Sequence, residues 1–159
     1  MDSIFNATLG QIVAGWSRLL SAPPTEADLS AQIAKIRALA DDESDFVLVA
    51  HSQGNLFVNG ASDALRASHP DTRASVIHIA PASPTVRGPY GLSGFDLIIN
   101  GLRAQGFSSV QLANWSIPFS FVDATGHTLV ATYLDAAREG RARVKGLIDS
   151  ALASVRPEG

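Results

Sequence analysis

Phe46-Val47-Leu48-Val49-Ala50-His51-Ser52-Gln53-Gly54-Asn55-Leu56-Phe57-Val58-Asn59 is the stretch whose reading decides this chain. Phe46 to Ala50 is wholly apolar and carries two β-branched valines, the pattern of a strand buried on both faces. His51 to Gly54 breaks it with small and polar residues, and helix-competent sequence follows at once. The expected local structure is strand, sharp turn, helix. A serine at the tip of such a turn stands clear of both backbones, and a glycine two residues later lets the helix start pack closely on the strand.

Outward from this stretch, Asp41 to Asp45 reads as an acidic surface loop. Before it, Ile4–Leu20 and a segment from Thr25 through Leu39 show helical spacing. Leu29, Ile33, Ile36 and Leu39 are expected on the buried face of the second, which Thr25 and Asp28 open as a capping box. Beyond the central helix, Ser68 to Asp71 makes a turn, and Ala74–Ala80 reads as a second buried strand. Strand, crossover helix and strand at this spacing imply a parallel sheet. Pro81–Gly94 is dense in Pro, Gly and Ser and is expected to be a loop outside the carboxyl end of the second strand, where open α/β sheets bind ligands. Ile117–Val122 is apolar, but its proline argues for an edge strand or an irregular segment. A helix is expected after His127, through Leu134 and Arg138. A C-terminal helix pair broken near Gly140 should follow, wetted by Arg138, Arg141, Arg143 and Lys145 and buried through Leu147, Ile148 and Leu152.

The chain has 159 residues, 46% hydrophobic and 17% charged, which fits one globular domain over 1–159. A net charge of -3 without a basic stripe argues against a nucleic-acid partner. The absence of cysteine excludes disulfides and thiolate metal sites. No apolar run is long enough to span a membrane and no signal peptide is evident in the chain as given, so a soluble protein is expected, with the cytoplasm as its default location. The histidines lack metal-ligand spacing, and neither metal nor cofactor is expected.

Ala50-His51-Ser52-Gln53-Gly54 resembles the nucleophile elbow of the α/β-hydrolase superfamily, G-x-S-x-G, with Ala50 in place of the first glycine. The resemblance extends from about Asp45 to about Leu134. Asp96, with Ile98 and Ile99 behind it, looks like that family's acid. Asp123-Ala124-Thr125-Gly126-His127 resembles its histidine loop, and the order Ser52, Asp96, His127 is the family's order of nucleophile, acid and base.

The resemblance implies a three-layer α/β/α domain with a short, mostly parallel sheet and a serine esterase or lipase-like activity on a small-molecule carboxylic ester. Ser52 would be the nucleophile, His127 the base and Asp96 the acid, with Asp123 as rival acid and the Gln53 backbone N–H as oxyanion donor. Ser52 and His127 should then lie within hydrogen-bond reach. The chain departs from the family before the elbow: helices stand where several strands are usual, as in a shortened hydrolase, and no second oxyanion donor is identified. The alternative is a non-catalytic, hydrolase-like fragment serving as a binding or interaction module.

The remaining histidines have plainer roles: His51 lining the elbow, His69 in a turn, His78 in a core or rim hydrogen bond. Trp115, Phe119 and Phe121 suit the core, with an acyl pocket as the other reading. Acyl length, oligomeric state, and the preference among ester, thioester and amide are left open by the sequence.

Overall fold

A computed structural model describes residues 26–104 and 110–156, so the helix expected over Ile4–Leu20 and the Thr25 cap lie outside the described residues. Helix and strand alternate through α1 (Glu26–Asp41), β1 (Phe46–His51), α2 (Gly54–Ser68) and β2 (Ala74–Ile79). After them come β3 (Tyr90–Gly91), α3 (Leu97–Ala104), a π-helical turn (Leu129–Tyr133) and α4 (Glu139–Val155). β1 and β2 pair in parallel, Phe46 opposite Ala74 and His51 opposite Ile79. β3 lies parallel on the other side of β2, with His78 opposite Tyr90. The described chain is therefore mixed α/β, with a small three-stranded parallel sheet in the order β1-β2-β3.

β2 is central, and Val76 to Ile79 are buried. Ile77, Ile79, Leu92, Ile99, Ile117 and Tyr133 pack into the main core with Val144 and Ala151 of α4. A smaller cluster joins Ala40, Phe46 and Leu65. α2 and α4 both pack on β1 and β2, while α1 packs on α2, where Gly60 admits the Leu29 side chain.

Four local expectations are corrected. β1 is less buried than its composition implies: Phe46 is its one fully buried residue, Val49 is 49% exposed, and among the described residues the strand is paired along one edge only. An open groove of about 410 Å³ runs beside it, lined by Gln32, Ile36, Val49, Phe57, Val58 and Ala61. On α1, Leu29, Ile33 and Ile36 are only half-buried and Leu39 is exposed, because the helix packs chiefly on α2. Pro81–Gly94 is not loop throughout, since it contains β3. There Gly91 lets the Trp115 ring lie against the backbone, where a Cβ would fall 2.2 Å from the ring.

The fourth correction concerns the C-terminal part. The helix expected through Leu134 and Arg138 is a single π-helical turn, so of the expected pair only α4 is a regular helix, and it starts at Glu139, beside the expected break at Gly140. Thr128 is extended (φ -67°, ψ 137°) at the head of the turn. Its N–H and the hydroxyls of Thr128 and Thr132 all bond the Asp123 carboxylate, beside the backbone bonds from Thr132 N–H to the Thr128 carbonyl and from Leu134 N–H to the Leu129 carbonyl, so side chains and a short helical ladder together set this segment. Gly140 then brings α4 against the Thr132 carbonyl, where a Cβ would fall at 2.8 Å. Arg141, Arg143 and Lys145 are exposed as expected, but so is Leu152. Ile117–Val122 is irregular: Ile117 is in the core, whereas Phe119 is exposed and Phe121 is 94% exposed, so neither of these phenylalanines is a core residue. Among the described residues no helix is long and apolar enough to cross a membrane.

These close approaches predict opposite effects at two glycines. Gly91→Ala should destabilise by about 1–3 kcal/mol, because the methyl overlaps the Trp115 ring. Gly146→Ala, in the middle of α4 with nothing within 4 Å of the added carbon, should stabilise by about 0.5–1 kcal/mol. Urea melts of both variants check the pair.

Candidate active site

Ser52 sits where β1 stops and α2 starts, with φ at +56°. A non-glycine residue in this left-handed region costs roughly 1–3 kcal/mol and persists where its surroundings over-determine it. Here they do. Ser52 N–H donates to the Ile79 carbonyl at 3.1 Å, prolonging the β1–β2 ladder by one step. The Ser52 carbonyl accepts three donors: Asn55 N–H at 3.2 Å, Asn55 Nδ2 at 2.7 Å and Ala82 N–H at 3.3 Å. Gln53 is helical (φ -62°, ψ -26°) and occupies the N-cap position of α2. A Cβ on Gly54 would meet the Ala50 Cβ at 3.7 Å, an ordinary contact, so this glycine is not sterically demanded.

The histidine loop reaches this serine from the other end of the described chain. His127 Nε2 lies 3.0 Å from Ser52 Oγ, and His127 Nδ1 lies 2.9 Å and 3.1 Å from the two Asp96 oxygens. A carboxylate accepts, so Nδ1 carries the proton and Nε2 is left to accept the serine hydroxyl. Asp96 is fully buried and His127 nearly so. Gly126 makes the bend before His127 at φ +65°, its Cα so close to the Phe95 carbonyl that a Cβ would fall at 2.3 Å. Leu97 N–H bonds the Thr125 carbonyl at 2.8 Å, tying the histidine loop to the segment that carries Asp96.

A buried carboxylate needs donors on every side. Asp96 caps α3 by accepting Ile99 N–H at 3.0 Å, and it accepts the Tyr133 hydroxyl at 2.9 Å. Ser93 N–H donates to that hydroxyl, which orients the phenol toward Asp96. Burial and the neighbouring Asp96 charge push the Tyr133 hydroxyl far above the usual range, so it stays a donor. Nothing in the sequence around Tyr133 marks it as a partner of Asp96, since it falls within the helix expected after His127.

Asp123 does not reach the imidazole. Its Oδ1 accepts Thr125 N–H and Thr125 Oγ1, and its Oδ2 accepts Thr128 N–H and the Thr128 and Thr132 hydroxyls at 2.7–2.8 Å. Burial opposes ionisation, but the hydrogen bonds from Thr125, Thr132 and Thr128 outweigh it and hold this carboxyl well below its ordinary value. Asp123 thus braces the loop and the π-helical turn, while Asp96 bonds the histidine.

The other histidines are structural. His51 Nε2 donates to the His127 carbonyl at 2.8 Å, and its ring lies 4.9 Å from the His127 ring, so it supports the histidine loop from beneath. His69 bonds Ser68 and Asp41 at the surface. His78 is fully buried between Asn55 Oδ1 and Arg87 N–H, at 2.8 and 2.9 Å. Trp115 is half-buried between Gly91 and Tyr133 and packs against the main core. Among the described residues, no group of three His, Cys, Asp or Glu is placed to hold a metal. The site brings together a hydroxyl, an imidazole and a carboxylate, arranged to pass one proton.

The buried histidines set a pH dependence. Burial, then Arg87, lowers His78 from 6.5 to about 4, so between these values the unfolded chain binds a proton that the folded chain refuses. Stability must therefore fall as pH drops through that window, by on the order of 3 kcal/mol from His78. His51, lowered by burial and by His127, acts in the same sense. Asp123 adds its own loss only below its ordinary 3.8, as the pH falls toward its depressed value. Urea unfolding from pH 7 to pH 4 should show the decline, and His78→Asn should flatten most of it.

No protein-family model matches the chain, and neither a curated protein nor a solved structure matches it.

Proposed function

We propose that this chain is a serine hydrolase of carboxylic esters, acting through Ser52, His127 and Asp96 on a three-layer α/β/α, hydrolase-like domain. The observation that carries the reading is the unbroken hydrogen-bond path from Ser52 Oγ through His127 to Asp96, ending on a serine held at positive φ between strand and helix.

A serine hydroxyl is a weak nucleophile at neutral pH and needs a base within reach. His127 Nε2 takes the Ser52 proton as Oγ attacks the ester carbonyl, and Asp96 holds the Nδ1–H tautomer and stabilises the imidazolium. The tetrahedral oxyanion faces the Gln53 backbone N–H at the head of α2, where the helix dipole favours negative charge. Collapse expels the alcohol, protonated by His127, and leaves Ser52 acylated. Water, deprotonated by His127, then attacks the acyl group. Its collapse releases the carboxylic acid and returns the proton to Ser52.

Hydrolysis of p-nitrophenyl acetate tests the reading. Ser52→Ala should lower kcat by a factor on the order of 10⁶; a Ser52→Ala variant within about tenfold of wild type, or a wild type without activity, overturns the proposal. The two aspartates should separate. Asp96→Asn should lower kcat by a factor on the order of 10⁴, because the amide cannot hold the tautomer. Asp123→Asn should cost far less in kcat and instead lower the urea midpoint, since it weakens the threonine cage.

A further inference from the structure

Behind Ser52 runs a second chain of hydrogen bonds, and its polarity can be read from one end. Arg87 N–H can only donate, so His78 Nε2, 2.9 Å away, accepts. His78 Nδ1 therefore carries the ring proton and donates to Asn55 Oδ1 at 2.8 Å. That fixes the Asn55 amide with its nitrogen toward two carbonyls, Ser52 at 2.7 Å and Ile79 at 3.2 Å. Both side chains are fully buried, and every polar atom of the pair has a partner.

The two carbonyls are not incidental. Ile79 O already receives the Ser52 N–H, so Asn55 Nδ2 grips the β1–β2 step at the point where Ser52 leaves the sheet. The Ser52 carbonyl is the group that must turn when φ becomes positive. Asn59, one helical turn further along α2, is also buried but binds Ser83 and Thr85 instead, away from the serine.

We infer that Asn55 and His78 are positioning residues for Ser52: the His78 N–H orients the Asn55 amide, and that amide holds the serine backbone so that Oγ meets His127. The inference rests on the hydrolase reading and extends it to two residues that touch neither substrate nor the reacting atoms.

The test is the second-order rate at which a fluorophosphonate labels Ser52, with kcat and KM for p-nitrophenyl acetate alongside. Asn55→Ala should lower labelling and kcat on the order of 10²-fold, as a small misplacement of a reacting atom does, and leave KM nearly unchanged. His78→Leu removes the donor to Asn55 and should show the same loss. His78→Asn keeps an N–H near the Nδ1 position and should recover most of the rate, although it also lacks the acceptor for Arg87. Asn59→Ala should react within a few-fold of wild type.

Circular dichroism and urea melts identify variants that remain folded at the assay temperature. Wild-type labelling by a folded Asn55→Ala overturns the inference and leaves the hydrolase reading standing. So does a His78→Asn variant no faster than His78→Leu. A wild type that neither labels nor hydrolyses overturns both.

Discussion

Asp96 carries a carboxylate out of water, and much of the structure beyond β2 is arranged to make that tolerable. An unpaired buried charge costs several kcal/mol, so every donor around it is under constraint. One comes from the first turn of α3, one from the Tyr133 phenol in the π-helical turn and one from the His127 imidazole. The same oxygen atoms thus fix the start of a helix, the rotation of an irregular turn and the orientation of a ring. Tyr133 in turn packs in the main core beside Leu92 and Ile117, so the polar centre is anchored in the apolar one.

The two aspartates divide the work by what surrounds them. Asp123 is ringed by threonine hydroxyls and backbone N–H groups from its own loop, within nine residues in sequence. Asp96 takes one partner from the first turn of its own helix, Ile99 N–H, and the other two from 31 and 37 residues away. A local cage shapes a loop; a carboxylate satisfied from afar joins segments. The distinction accounts for the closing of the histidine loop on itself around Asp123 while its imidazole turns outward to Asp96.

The strand, turn and helix around Ser52 were legible because each rests on neighbours in sequence: an apolar run, a polar break, a helix start. β2 was legible as a second apolar run, and its parallel pairing followed from the strand, helix, strand spacing. Asp96, His127 and Ser52 were legible as residue types in an order, although nothing local encodes the distances between them. β1 misled because composition records how apolar a strand is, not how many neighbours it has. β3 is too short to show a period, and its position depends on the bare backbone of Gly91 beneath Trp115. The π-helical turn replaced a helix because Asp123 captures Thr128 and Thr132. Asn55 did leave a trace: Asn55, Asn59 and Ser62 recur at helical spacing along the buried side of α2, a polar stripe that calls for polar partners. Tyr133 left none, since its hydroxyl is explained only by a carboxylate far away in sequence.

The elbow and the groups that face it are built on different scales of chain. Ser52 is held by Asn55, three residues on, and by Ile79 and Ala82 at the end of β2, whereas His127 stands 75 residues from it. Contacts of the second kind form only once long loops have closed, at an entropic cost that local turns do not bear. During folding the strained serine can therefore take shape with the β1–α2–β2 unit, before any base is in place. On the hydrolase reading, reactivity at Ser52 waits until the loop that carries His127 has docked. The return of chemistry at Ser52 after dilution from denaturant is then a clock for the closing of that long loop, a step that a helical signal does not time.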